Sequence, residues 1–267
     1  MAQTLSIILA QYYPDKTQLR HTLDSLLIQD TYDFELIIAD DGSPQDYWDD
    51  TRAYLAAHGF TNVKLSKNKV NQGTVTNMLH AVELASGQWI AGISPGDYVY
   101  DASTVRWVLD MLRRDAPQVA FGKSAYYRQE SDGTLVQLPG ETPFDRTPYD
   151  AAHYDNKAIR RNVLLYDDGI SGIETMYERG IFLDALQKMN AVIAADVDAL
   201  HGKQPGGKVL GKADTAIHLL QRIQENSALV HCFNAADAVI VLPQRPPQVP
   251  PGAGIDRPPG GSAELRL

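Results

Sequence analysis

Residues 34–43 read Phe-Glu-Leu-Ile-Ile-Ala-Asp-Asp-Gly-Ser, an apolar run that ends in two carboxylates and a turn. Apolar runs with few polar interruptions are typical of strands that are covered on both faces of a parallel sheet. Asp, Gly and Ser directly after such a strand favour a tight turn into a helix. The stretch therefore predicts a central parallel strand with polar side chains at its carboxyl end.

The same pattern recurs along the first half of the chain, with helical periods between the apolar runs. The predicted strands are Leu5–Ala10, Phe34–Asp40, Val63–Ser66, Trp89–Ile93 and Val119–Gly122. Two apolar stripes at helical spacing lie between them, at Leu19, Leu23, Leu26 and Leu27 and at Val75, Met78, Leu79, Val82 and Ala85. Strands that alternate with helices need right-handed crossovers, so the sequence predicts an α/β fold with a doubly wound, mostly parallel sheet.

The pattern changes after Gly122, where a smaller C-terminal lobe of the same domain is expected, over residues 123–242. Ser131–Gly133 predicts a hairpin turn in a polar stretch. Helical periods return in three segments, Ile181–Met189, Ala191–Leu200 and Thr215–Glu225. Residues 243–267 are rich in Pro and Gly and are expected to be a disordered tail.

Composition argues against several classes of protein. The 24 Lys and Arg residues against 33 Asp and Glu residues give a formal net charge of -9, which disfavours a nucleic acid partner. No apolar run approaches the roughly 20 residues of a membrane span, and no secretory signal is recognised at the N-terminus. We therefore expect a cytoplasmic protein that contacts the inner face of a membrane at most peripherally.

Polar, turn-forming residues follow three of the predicted strands, at Gln11–Asp15, Asp40–Ser43 and Ser94–Asp97. Taken singly, each of these segments is better explained as an ordinary turn or helix cap than as a binding site. The carboxyl ends of parallel strands share one edge of a sheet, where ligands bind in α/β proteins. The order of the segments therefore predicts one binding crevice.

Two common nucleotide-binding motifs are absent from the sequence. No Gly-x-Gly-x-x-Gly follows the first strand, which argues against a dehydrogenase, and no Gly-x-x-x-x-Gly-Lys-Ser/Thr element indicates a P-loop. A sugar nucleotidyltransferase would be expected to have a Gly-rich, basic loop where this chain has Gln11-Tyr12-Tyr13. That class stays open as an alternative.

An ordered set of motifs resembles the family-2 glycosyltransferases. The matching segments are 6–13 (Ser-Ile-Ile-Leu-Ala-Gln-Tyr-Tyr), 25–29 (Ser-Leu-Leu-Ile-Gln), 36–43, Asn71-Gln72-Gly73, Ala85-Ser86-Gly87 and the turn that ends in Asp97. The resemblance is strong over roughly the first 120 residues and loose beyond them, and the ordered set is more specific than any one motif. It implies a GT-A fold, with residues 1–122 binding a nucleoside diphosphate sugar and residues 123–242 binding the acceptor.

The resemblance implies a donor site at the strand ends. Its residues would be Gln11, Tyr13, Asp40, Asp41, Asn71, Gly73 and Asp97. Gln11 and Tyr13 would lie against the base or ribose, and the Asp40–Asp41 pair would accept a hydrogen bond from a uracil-like ring edge. Asn71 and Gly73 would shape the floor beneath the nucleotide.

The metal motif of the family is eroded in this chain. Its Asp-x-Asp-Asp pattern aligns with Ser94-Pro95-Gly96-Asp97, so one carboxylate remains, and an arginine of the family is replaced by Met78. The resemblance still implies Mg²⁺ or Mn²⁺, held by Asp97 and the diphosphate. Apart from the resemblance, His231 in a predicted strand is a further candidate ligand. Metal affinity without nucleotide is expected to be poor.

The family places a catalytic base in a Glu-Asp pair before a helix, where this chain has Ala213-Asp214. Asp214 is therefore the candidate base of an inverting transfer, and it is equally well explained as the cap of a helix that begins at Thr215. Gly172 and Glu174 are candidate residues on the acceptor side, with Glu174 as a reserve base.

The resemblance implies an inverting glycosyltransferase in surface or capsular polysaccharide synthesis. The expected donor is a UDP-sugar, and the expected partner is a saccharide or lipid-linked acceptor with a free hydroxyl. A degenerate, non-catalytic protein that binds nucleotide-sugars is the second alternative. The sequence does not indicate an oligomeric state.

Overall fold

The computed structural model describes residues 4–129, 135–143, 145, 147–150, 152–165, 172–202 and 239–241. The strands in these ranges are β1 Leu5–Gln11, β2 Phe34–Asp40, β3 Val63–Lys67, β4 Trp89–Ile93, β5 Val119–Phe121, β6 Ser124–Gln129, β7 Leu135–Thr142, β8 Thr175–Glu178 and β9 Val239–Val241. The helices are α1 Lys16–Leu27, α2 Trp48–Ala57, α3 Thr74–Leu84, α4 Thr104–Asp115, α5 Asn156–Leu165 and α6 Arg179–Gly202. None of these helices combines the length and the apolar composition that a bilayer crossing requires.

Seven of these strands form one sheet in the order β3-β2-β1-β4-β8-β5-β9. The pairs β1–β2, β1–β4 and β2–β3 are parallel, whereas β8 runs antiparallel to both β4 and β5. The predicted doubly wound, mostly parallel sheet is confirmed. The insertion of β8 between β4 and β5 was not predicted, and it brings a segment from beyond Gly122 into the central sheet.

Apolar side chains cover both faces of the sheet. Ile7 and Leu9 of β1 belong to a core cluster with the buried leucines of α1 and with α4, while Ile8 belongs to a second cluster with α3 and α6. Successive strand residues point to opposite faces, so a continuous apolar run supplies both clusters. Burying one aliphatic side chain fully contributes about 1.5–3 kcal/mol to folding stability relative to leaving it exposed. The apolar runs therefore determine which faces of the sheet are covered by helices.

In the described part of the C-terminal half, the hairpin agrees with the prediction and the helix around Asn190 differs from it. The predicted helix Thr215–Glu225 and the predicted tail, residues 243–267, lie outside the described residues. β6 and β7 pair as an antiparallel hairpin, and the predicted turn Ser131–Gly133 lies outside the described residues. The two helical segments predicted on either side of Asn190 form one continuous helix, α6. Asn190 interrupts the apolar period because it faces α3, where its Oδ1 accepts the hydroxyl of Thr76 at 2.8 Å.

The buried carboxylate of Glu35 connects the amino-terminal ends of neighbouring strands. Glu35 accepts the hydroxyl of Ser6 and the backbone N–H of Gly87, and forms an ion pair of 2.8 Å with Lys64. Burial alone would raise the pKa of Glu35, but hydrogen bonds from Lys64, Ser6 and the Ser86 backbone lower it to about 2. A Cβ at Gly87 would lie 2.5 Å from the Ser6 nitrogen. The Ala85-Ser86-Gly87 motif therefore connects strands at the edge opposite the predicted crevice.

Candidate functional site

The predicted crevice lies at the point where the strand order reverses. β1 is flanked by β2 on one side and by β4 on the other, and their parallel registers place the loops after all three strands at one edge. Such a switch point leaves a gap between diverging loops, where α/β proteins bind their ligands. The loops that contain Gln11, Asp40 and Asp97 are therefore brought to one edge of the sheet.

Asp40 connects the first of these loops to the second. Its Oδ2 accepts Gln11 Nε2 at 3.0 Å, and its Oδ1 accepts the backbone N–H of Ser43 at 2.7 Å. The hydroxyl of Ser43 in turn accepts the backbone N–H of Tyr13 at 2.8 Å. Asp40 is only 2% exposed. Its first role is therefore to fix the relative positions of the two loops.

Asp41 connects the second loop to the third, which follows β3. Its Oδ1 accepts Asn68 Nδ2 at 2.8 Å and the backbone N–H of Gln72 at 2.9 Å, while its Oδ2 accepts the backbone N–H of Gly73 at 2.8 Å. Two of these hydrogen bonds hold the Asn71–Gly73 segment in place, and the third fixes Asn68 directly after β3. Asn71 and Gly73 themselves are exposed.

Gly42 allows the second and third loops to approach closely. It has φ +77, and a Cβ at this position would lie 2.4 Å from the carbonyl carbon of Val70. Both the backbone conformation and the close approach exclude a larger residue. The Asp-Asp-Gly-Ser motif is thus also a packing element.

Gln11 has an unsatisfied polar atom within this network. The residue is 5% exposed, and its Oε1 has no hydrogen-bond partner among the described residues. Buried polar atoms are nearly always paired in folded proteins, so an unpaired one is a candidate position for a ligand donor.

Two exposed tyrosines lie at the start of the first loop. Tyr12 and Tyr13 are 54% and 56% exposed, and Tyr13 has a positive φ of 48. The tyrosine rings are available to stack on a planar group. Tyr12 was quoted as part of the motif, but the sequence assigned it no role of its own.

The Ser94–Asp97 turn bonds largely to itself and to α1. Asp97 Oδ2 accepts the backbone N–H of Ser94 at 3.0 Å, and the backbone N–H of Gly96 donates to the Thr22 hydroxyl at 3.0 Å. Across the described residues, no group of three or more His, Cys, Asp or Glu side chains could hold a metal ion. One carboxylate, which also accepts a hydrogen bond within its own turn, fits a divalent cation only if the diphosphate supplies most of the ligands.

The acceptor-side candidates have different environments. Glu174 is fully buried, and its Oε2 accepts the hydroxyl of Ser124 at 2.7 Å. Gly172 is exposed, and its carbonyl oxygen lies 3.7 Å from the position that a Cβ on Gly92 would occupy, near the carboxyl end of β4. Asp214 and His231 lie outside the described residues.

Sequence reasoning missed three residues that support the third loop. Asn68 Oδ1 contacts His80 Nδ1 at 2.7 Å, and Asn77 Nδ2 donates to the carbonyl of Ala39 at 2.8 Å. Asn68 follows β3 directly, so the rule that polar residues follow strands could have found it. Asn77 and His80 lie within a helix, where no comparable signal exists.

This architecture defines a class of protein. A mostly parallel sheet with binding loops at its switch point and paired aspartates after the second strand is the GT-A fold, which solved glycosyltransferase structures also show. The sequence profile described as glycosyl transferase family 2 matches residues 6–182, more than half of the chain. The chain therefore belongs to glycosyl transferase family 2.

Individual relatives agree with this assignment. The "Putative glycosyltransferase EpsE" of Bacillus subtilis (strain 168) is 31% identical over 133 residues, which cover 49% of this chain and 43% of that protein. S. aureus TarS has a similar fold, with a TM-score of 0.54 and 15% identity over 91% of this chain and 35% of that one. TarS 1-349 in complex with UDP-GlcNAc gives a TM-score of 0.51 at 16% identity, covering 90% of this chain and 56% of that one. The matches thus span less than two thirds of each relative.

Proposed function

We propose that this chain transfers a sugar from a nucleoside diphosphate sugar, with a UDP-sugar as the preferred donor, to a hydroxyl group of an acceptor. The observation that carries the proposal is the pair of buried aspartates, Asp40 and Asp41, which hold three loops around the switch point. Family membership supports sugar transfer, and the complex of TarS 1-349 with UDP-GlcNAc supports a uridine donor by analogy of fold.

The nucleotide would lie across the three connected loops. Tyr13 would contact the base or ribose with its exposed ring, and Asn71 and Gly73 would form the floor. A carboxylate offers about four acceptor positions. Asp40 uses two of its positions and Asp41 uses three, so the pair retains capacity for a ring N–H of uracil.

Asp97 is the protein carboxylate proposed to meet a cation beside the diphosphate. Mg²⁺ or Mn²⁺ bound there would neutralise the charge that develops on the leaving diphosphate. The Ser94–Asp97 turn holds the carboxylate in place through the Ser94 N–H. His231 stays a further candidate ligand.

The transfer itself needs a base near the acceptor hydroxyl. In the inverting reaction, Asp214 would take the hydroxyl proton while the acceptor oxygen bonds to the anomeric carbon and the bond to the diphosphate breaks. Glu174 is the reserve candidate, but its complete burial would have to be relieved before it could contact an acceptor. Gly172 is proposed to line the acceptor side near the end of β4.

The acceptor is proposed to be a saccharide or a lipid-linked saccharide in surface or capsular polysaccharide synthesis. This part rests on family resemblance rather than on the geometry of the site. The reaction would then take place on the cytoplasmic side, with at most peripheral contact with the membrane.

A thermal-shift panel tests the donor. UDP, GDP, CDP, dTDP and NAD are each added with and without Mn²⁺. A ligand at about 100 times its dissociation constant stabilises the folded state by about 2.7 kcal/mol. Selective stabilisation by UDP is the expected result, whereas no shift, or a shift with NAD alone, would contradict the proposal.

A second candidate function is binding of nucleotide-sugars without catalysis. The specific observation that favours it is the loss of the first two carboxylates of the metal motif, whose positions are now Ser94 and Gly96. Turnover of a UDP-sugar by the wild type, abolished in Asp214→Asn, would favour catalysis. UDP binding without turnover would favour the second function, and full activity in Asp214→Asn would exclude Asp214 as the base.

A further inference from the structure

Tyr13 has an unusual backbone conformation for its residue type. It and Ala116 are the non-glycine residues with positive φ in the described part of the chain. Ala116 caps the end of α4, where a left-handed residue is ordinary. Tyr13 lies in the loop after β1, and a left-handed conformation of a bulky residue is maintained only when its surroundings enforce it.

The backbone of Tyr13 is bonded to the hydroxyl of Ser43. This hydroxyl accepts the backbone N–H of Tyr13 at 2.8 Å, across 30 positions of the chain. Ser43 is itself buried, at 6% exposure, and its own N–H is held by Asp40 Oδ1. Gly42, which directly precedes Ser43 in the chain, packs against the Val70 backbone. The Ser43 hydroxyl is therefore held in place, while Tyr13 itself is 56% exposed.

We propose that Ser43 is a positioning residue for donor binding, which acts by holding the backbone of Tyr13 so that its ring stands at the nucleotide site. This inference rests on the proposed function, since it assumes that the ring contacts a nucleotide. The direction of a side chain follows from the φ and ψ of its own residue. Loss of the Ser43 hydroxyl lets Tyr13 relax to negative φ, which turns the ring away from the crevice.

The test measures the dissociation constant of UDP by titration calorimetry for the wild type, Ser43→Ala and Ser43→Thr. Ser43→Ala is expected to bind UDP about fivefold to tenfold more weakly, the effect of one neutral hydrogen bond. Ser43→Thr keeps the hydroxyl and is expected to bind within about twofold of the wild type. Equal weakening in both variants, with both folded, would overturn the inference.

Ser6→Ala is the matched control. Ser6 is also a buried serine whose hydroxyl accepts a backbone N–H, that of Gly87 at 2.9 Å, but it lies near the opposite end of β1. Its replacement is expected to lower the melting temperature without changing UDP affinity. A loss of affinity equal to that of Ser43→Ala would show that both variants act through general destabilisation.

A double-mutant cycle with Tyr13→Gly separates positioning from other roles of Ser43. Glycine adopts positive φ freely and has no ring, so Ser43→Ala is expected to leave UDP affinity unchanged in this background. If Ser43→Ala alone does not fold, Tyr13→Gly and the double variant can still be compared with each other. The same loss in both backgrounds would overturn the inference, whereas a wild type that binds no nucleotide of the panel would refute the proposed function itself.

Discussion

Asp41 Oδ2 accepts the backbone N–H of Gly73 at 2.8 Å, across 32 positions of the chain. With the bond from Gln72 N–H to Oδ1, this makes the second aspartate of the motif an anchor for the loop after β3. The resemblance to known transferases implied only a role in base recognition. The carboxylate can serve both purposes because its two oxygens offer more acceptor positions than the loop uses.

Asp41→Asn is expected to loosen the third loop and weaken UDP binding. The amide has one acceptor oxygen, so its NH₂ group faces a backbone N–H that has lost its partner. An unpaired buried donor costs about 1–3 kcal/mol, and urea unfolding should show a loss of this size. Asp50→Asn removes an exposed carboxylate and should have little effect on UDP affinity or on the free energy of unfolding. Unchanged unfolding of Asp41→Asn would contradict the anchoring role.

Gly42→Ala is expected to destabilise the fold more than Gly59→Ala does. Both residues have positive φ, at +77 and +80, but a Cβ at Gly59 meets nothing within 4 Å, whereas at Gly42 it would collide with the Val70 backbone. Gly59→Ala should therefore cost about 1–2 kcal/mol for the backbone conformation alone. Chemical denaturation of the two variants measures the difference, and equal losses would show that the close approach is unimportant.

The stability contributed by Glu35 is expected to disappear in acid. The pKa of Glu35 is lowered from 4.5 to about 2 in the folded chain, so the ionised carboxylate stabilises the folded state. This stabilisation is present in full above pH 4.5. The stabilisation is lost as the pH falls from 4.5 to about 2, and it amounts to about 3 kcal/mol.

Unfolding by urea at pH values from 6 to 2 checks this expectation. The stability of Glu35→Gln should fall less steeply than that of the wild type below pH 4.5. Glu83→Gln, which changes an exposed glutamate, should follow the wild-type curve. Parallel curves for the wild type and Glu35→Gln would show that the Glu35 network is not a source of acid sensitivity.

Asp97→Asn is expected to remove the effect of Mn²⁺ on UDP binding. The amide oxygen can still accept the Ser94 N–H, so the turn is retained while the negative charge is lost. If Asp97 meets the cation, Mn²⁺ tightens UDP binding to the wild type by about tenfold and does not tighten binding to the variant. Calorimetry with and without Mn²⁺ measures the UDP affinity of the wild type and of Asp97→Asn. Asp49→Asn, which changes an exposed carboxylate, is the control and should respond to Mn²⁺ as the wild type does. An equal response in Asp97→Asn would exclude Asp97 as the ligand.

Local patterns predicted most of the first half of the fold. Phe34–Asp40 and Trp89–Ile93 were predicted with the observed bounds, and β1 extends by one residue, to Gln11. Apolar runs and helical stripes are local signals, because each depends on which faces of one element are covered. The polar residues after β1, β2 and β4 were recognised for the same reason.

These local patterns did not predict contacts between residues that are far apart in the sequence. The position of β8 between β4 and β5 depends on pairing with strands more than 50 residues away, and the continuity of α6 through Asn190 depends on a partner in α3. The site roles of Asp214 and His231 remain predictions, since these residues lie outside the described part of the chain.

By itself, the sequence determined the layers of this protein and the edge of the sheet at which its polar loops meet. The tertiary structure decided how these loops are connected: Asp40 joins the first two, Asp41 joins the second and third, and Ser43 holds Tyr13 in a left-handed conformation. The reason is physical. Strand and helix periods are set by neighbouring residues, whereas these hydrogen bonds join groups about 30 positions apart and form only when the strands pair in register.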